Sequence, residues 1–148
     1  MYKRDLTATV REKLGKGKVI VILGPRQVGK TTLVIELLSS SEHLFLNCDD
    51  PVVSAGLTNA NTEQLRSIIG KEKIVFIDEA QRIPNIGLTL KLVADQFKDV
   101  QLIVSGSSSF ELANEVNEPL TGRKWEYYLF PVSFREIEET EGYIKAMQ

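Results

Sequence analysis

Lys18-Val-Ile-Val-Ile-Leu-Gly-Pro-Arg-Gln-Val-Gly-Lys-Thr-Thr-Leu33 is the stretch on which the fold turns. Five consecutive apolar residues, Val19 to Leu23, read as a buried strand. Gly24-Pro25-Arg26-Gln27-Val28-Gly29-Lys30-Thr31 follows at once and fits the pattern G-x-x-x-x-G-K-[ST]. Lys30 to Leu38 then places Leu33, Val34, Leu37 and Leu38 on one helical face. Strand, loop and helix in this order are what recognition of a polyphosphate requires. Backbone N–H groups can wrap phosphate oxygens only where side chains do not obstruct, which asks for glycine at positions 24 and 29. A helix starting near Lys30 adds its dipole and its free N–H groups. By the same chemistry Lys30 reaches the β- and γ-phosphates and the Thr31 hydroxyl holds Mg²⁺, so ATP and Mg²⁺ are the expected ligands. Thr32 is expected to pack or to touch phosphate from the same helical turn. Arg26 either approaches the γ-phosphate or pairs with an acidic neighbour.

A second segment supplies the carboxylates such a site needs. Ile74-Val75-Phe76-Ile77-Asp78-Glu79 is four apolar residues followed by two acids. The carboxyl end of a parallel strand is the edge at which open α/β sheets bind ligands. Asp78 is therefore expected to orient Mg²⁺, and Glu79 to polarise the water that attacks the γ-phosphorus. Side chains alternate along a strand, so the pair reaches different ligands only if the strand ends here. Val100 to Ser105 is the next apolar run and leads into Gly106-Ser107-Ser108-Ser109. Ser105 and Ser107 are the candidates for a hydroxyl that bonds the attacking water or the γ-phosphate.

Around these motifs the chain alternates short apolar runs with helical spacing, the pattern of a parallel sheet with crossover helices. Strands are expected at 19–23, 44–48, 73–77, 100–105 and 125–130. Helices are expected at about 5–14, 30–38, 62–69 and 86–97, with Gly70 stopping the third. At 148 residues the chain is expected to be one domain, with an N-terminal helix and basic junction over 1–18. Eighteen Lys and Arg against twenty Asp and Glu argue against binding nucleic acid by bulk positive charge. The basic junction of Arg11, Lys13, Lys16 and Lys18 leaves a local nucleic-acid contact open. The longest apolar run is five residues, so no membrane span is expected. No secretory leader is visible, and the expected compartment is cytoplasmic. One Cys and one His make a His/Cys zinc site improbable, and Cys48 reads as a small buried hydrophobe.

These residues resemble the prokaryotic AAA-superfamily P-loop ATPases whose N-terminal ATPase core precedes a C-terminal domain of unclear function. The resemblance is carried by 24–33, by Phe-Ile-Asp-Glu-Ala-Gln-Arg-Ile-Pro at 76–84 and by Ser-Gly-Ser-Ser-Ser at 105–109. Leu-Thr-Gly-Arg at 120–123 and Phe-Pro-Val-Ser-Phe-Arg-Glu at 130–136 complete it. It implies a three-layer α/β P-loop fold with a five-stranded, mainly parallel sheet of order 5-1-4-3-2. It also points to Arg123 as a charge-stabilising arginine, acting in cis or donated to a neighbouring subunit of a homo-oligomer, with Arg82 the weaker candidate. Only 18 residues follow Phe130, which leaves no room for the helical lid of many AAA proteins or for the C-terminal effector domain. The expectation is an ATPase core separated from the effector domain of its parent chain, weak or inactive in isolation. Rival readings are a nucleotide-dependent switch without turnover and a small-molecule kinase. A GTPase would need an Asn-Lys-x-Asp segment, which the chain lacks.

Overall fold

Each apolar run becomes a strand and each crossover a helical segment in the computed structural model, which describes residues 2–25, 29–107 and 109–129. In chain order these are α1 (Tyr2–Lys13), β1 (Val19–Leu23), α2 (Lys30–Leu37), β2 (Leu44–Asn47), α3 (Pro51–Leu57), α4 (Thr62–Ile69) and β3 (Ile74–Asp78). A 3₁₀ turn (Ala80–Arg82), α5 (Ile86–Gln96), β4 (Gln101–Gly106), α6 (Ser109–Asn117) and β5 (Lys124–Tyr128) follow. All five strands are parallel and lie in the order β2-β3-β4-β1-β5, the expected order read from the other edge. Phe130 of the expected fifth strand, and the motif that it begins, lie outside the described residues.

The interior strands β1, β3 and β4 are almost wholly buried because helices cover both faces, whereas the edge strand β5 carries Lys124 and Glu126 and is half-buried along its length. Within β1, Ile20 and Ile22 join Leu33, Val34 and Leu37 of α2 and Val10 of α1 on one side. Val19, Val21 and Leu23 point the other way, into a core closed by α3 to α6. Three layers result, as expected. The α5–α6 contact is close enough to exclude a side chain at Gly87, where a Cβ would collide with the Glu115 carbonyl and lie 3.0 Å from Pro119 Cγ. Gly87→Ala should gain up to about 1 kcal/mol of helix propensity but force the helices apart. The net loss is expected to be about 1–2 kcal/mol, read as a Tm fall of roughly 3–8 °C in thermal unfolding.

Two helices went unforeseen in the sequence. Asp50 caps α3 by accepting from Val52 N at 2.9 Å, with Pro51 in the first turn, a start signal that Asp50-Pro51 does carry. In α6 and the turn after it, fully buried Leu112, Val116 and Leu120 recur every four residues behind the Ser-rich segment. At the basic junction, the ammonium groups of Lys13 and Lys18 lie 4.2 and 4.3 Å from the centroid of the Trp125 ring, so two of its four cations have a packing role. Among the described residues no helix is long and apolar enough to cross a membrane.

Candidate functional site

Parallel pairing brings the carboxyl ends of β1, β2, β3 and β4 to one edge, with Asn47 opposite Asp78 and Ile22 opposite Ser105. At that edge a cavity of about 370 Å³ opens. Gly29, Lys30, Thr31 and Thr32 form one wall, and Asn47, Asp49, Asp78 and Glu79 the other. Gly29 takes φ 91°, a left-handed conformation suited to glycine, and turns the loop into α2. Arg26, Gln27 and Val28 lie outside the described residues. Pro25 is exposed and its carbonyl accepts from Lys30 Nζ at 3.0 Å. Gly24 has a reason beyond ligand access: a Cβ there would collide with the Leu129 carbonyl beside β1.

Three charged side chains are buried around this cavity: Lys30 is 4% exposed, Asp78 5% and Glu79 7%. Burying charge is costly, and groups so placed in a cleft mark a functional site. Asp78 accepts from Thr31 Oγ1 at its Oδ2 (2.8 Å) and from Ser105 Oγ at its Oδ1 (2.5 Å), so α2, β3 and β4 converge on one carboxylate. Glu79 leaves the strand in a left-handed conformation (φ 57°, ψ 46°). That backbone costs about 1–2 kcal/mol for a residue with a Cβ, and it separates the directions of the two acids as the sequence required. Ser107 Oγ donates to Glu79 Oε1 at 2.7 Å, as does Gln81 Nε2 at 2.8 Å. Both candidate serines are thus assembled at the site, each with its single hydroxyl hydrogen on a carboxylate. Ser105 is fully buried beneath Asp78, whereas Ser107 is half-buried beside Glu79.

Thr32 is exposed and lines the cavity. Cys48 is buried, and its thiol is pushed up to about 12 by burial first and then by the charges of Asp78, Asp49 and Glu79. It is an inert thiol, in keeping with its reading as a small hydrophobe. Arg82 binds Asp49 at the cavity wall, Nε to Oδ1 at 2.8 Å. Arg123 is not brought to the site. Its carbonyl accepts from Val19 N at the start of β1, whereas the loop follows the end of that strand. A five-residue strand spans about 16 Å, beyond the reach of an arginine, so action in cis does not fit the fold. Arg123 instead pairs with Asp95 at 2.6 Å. Hydrogen bonds from Lys91 and then from Arg123 hold the Asp95 carboxyl below its usual range.

The donor set suits a hard divalent cation held jointly with a ligand. Among the described residues no three His, Cys, Asp or Glu side chains form a metal cluster. Thr31 and Asp78 nevertheless offer adjoining oxygens, and Mg²⁺ is commonly bound through one or two such groups, with phosphate and water completing its shell.

A parallel sheet of this order, with a G-x-x-x-x-G-K-[ST] loop after the interior strand β1 and an Asp-Glu pair at the end of β3, defines a P-loop ATPase domain. The chain belongs to the family described as AAA_14, AAA domain, whose model matches residues 16–138. Uncharacterized proteins Rv2008c of Mycobacterium tuberculosis and Mb2031c of Mycobacterium bovis are each 31% identical over 122 residues, 82% of this chain and 27% of theirs. Uncharacterized protein MJ1544 of Methanocaldococcus jannaschii is 26% identical over 130 residues, 84% of this chain and 29% of its own. The chain therefore spans little more than a quarter of the length of the curated relatives it matches. Among solved structures, the Walker-type ATPase Paby2304 of Pyrococcus abyssi superposes with a TM-score of 0.65 at 16% identity, covering 99% of this chain and 57% of that one. A RuvB of Thermotoga maritima gives 0.58 at 20% identity, covering 93% and 46%. At these identities the likeness is one of fold.

Proposed function

We propose that this domain hydrolyses ATP to ADP and phosphate in a Mg²⁺-dependent reaction and couples that step to movement of a further domain of its parent chain. The observation that carries the proposal is the convergence on one cavity of buried Lys30, the Thr31–Asp78 oxygen pair and buried Glu79 on its left-handed backbone. Lys30 binds the β- and γ-phosphates, and Thr31 and Asp78 hold Mg²⁺, which when bound neutralises charge on those phosphates. Glu79 takes a proton from a water whose oxygen bonds to the γ-phosphorus as the bond to the β-phosphate oxygen breaks. A kinase must keep water from the γ-phosphate, and a base in the position of Glu79 is unwanted there. The greater length of the relatives supports a partner domain.

Arg123 enters this reading as a residue donated to a neighbouring copy, since its one-third-exposed side chain stands at the opposite edge of the sheet. In the full chain, phosphate release from ATP with no added acceptor should require Mg²⁺ and rise faster than linearly with protein concentration. Arg123→Ala should make the dependence linear. ATP binding with no release at any concentration would leave the switch reading in its place.

A further inference from the structure

Gln81 has no role in the reading above, yet it is bound into the same cluster. It lies in the 3₁₀ turn, where the left-handed backbone of Glu79 brings it back over the end of β4. Its Nε2 carries two hydrogens. One goes to Glu79 Oε1 at 2.8 Å and the other to Ser107 Oγ at 3.0 Å. Ser107 in turn donates to the same Glu79 oxygen at 2.7 Å. The three side chains close a ring in which every donor hydrogen is used and two converge on one carboxylate oxygen.

The other end of the amide is buried, with no hydrogen-bond partner for Oε1 among the described residues. It lies against Gly106, where a Cβ would come within 2.6 Å of it. Turning the amide over would set Oε1 against the carboxylate and remove both donors from their acceptors, so the ring chemistry fixes its orientation. A buried oxygen without a donor destabilises a fold, and stability alone would favour an apolar side chain of this size. The benefit of glutamine must lie in the two hydrogens it gives to Ser107 and Glu79.

We propose that Gln81 is a positioning residue for hydrolysis, which together with Ser107 fixes the side-chain torsions of Glu79 and so the orientation of its carboxylate toward the cavity. The inference rests on the reading of Glu79 as the base. Glutamate has three rotatable bonds, and a base displaced by about 1 Å can lose ~10² in rate. Gln81 acts through Glu79 and touches no reacting atom.

The test uses Gln81→Met in the full chain, a change of similar size that removes the N–H donors. Its kcat should fall roughly 10–100-fold, with KM for ATP within about threefold and Tm unchanged or higher. In a Glu79→Gln background the same change should cost less than about twofold, because the loss runs through the base. Wild-type kcat in Gln81→Met, or equal losses in both backgrounds, would overturn the inference while leaving the reading of Glu79 intact. Full turnover in Glu79→Gln alone would defeat that reading, and this inference with it. Should Gln81→Met lower Tm, Ser107→Ala tests the same ring by losing one oxygen, and a loss confined to the background with Glu79 is again the expected result.

Discussion

Glu79→Gln is expected to lower ATP turnover by ~10²–10⁴, the range for loss of a general base, while ATP affinity stays within about threefold. The substitution removes the basicity and charge of the carboxylate while keeping its shape. Glutamine keeps the length of the side chain and an oxygen that can accept from Ser107 Oγ and Gln81 Nε2 as Oε1 does now. It also carries the same left-handed backbone at position 79, so no strain is relieved and no cavity opens. Single-turnover phosphate release and an independent binding titration measure the two quantities. Turnover at the wild-type rate would remove Glu79 from the chemistry and leave the domain as a nucleotide binder with an acidic rim.

The second large effect is on binding. Lys30→Ala deletes the ammonium held against the Pro25 carbonyl at the mouth of α2. Truncating one partner of a buried charge pair costs about 2–5 kcal/mol, or about 30- to 5,000-fold in affinity. ATP binding should weaken by that factor in a calorimetric titration, with little change in Tm, because the fold loses a desolvated cation along with its hydrogen bond. Affinity within threefold of wild type would contradict the assignment of residues 24–31 as a phosphate loop, and with it the reading of every other residue in the cavity.

Much of this site was legible in the sequence because its parts are local. A strand, a loop and a helix in direct succession specify Lys30 and Thr31, and four apolar residues before Asp78 specify a strand end. The five strands could be read from apolar runs, but their order could not, since order depends on which crossovers pass over which face. The resemblance supplied it. Arg123 shows what that difference means: its motif is plain in the sequence, but only the register of β5 on β1 places it at the edge remote from the loop. Gln81 lies inside the 76–84 motif, but nothing in the sequence pointed to its role. Its partner Ser107 lies 26 residues further along, and an amide after an acidic pair reads as a solvated turn until β4 is laid beside β3. The helix at 109–117 was hidden for another reason: consecutive serines read as a flexible turn and masked the spacing of Leu112 and Val116.

The place of β1 in the sheet also bears on how the protein is made. Among the described residues its strand partners are β4 and β5, Ile20 facing Ile103 on one side and Trp125 on the other. A chain emerging from the ribosome exposes Val19-Ile-Val-Ile-Leu23 long before either partner has been synthesised. Such an unpaired, uncharged run is of the kind that templates aggregation. Pairing across so many residues also slows closure of the sheet. The segment that introduces the phosphate loop therefore stays without its full set of strand neighbours, and open to aggregation, until β5 has been synthesised as far as Tyr128.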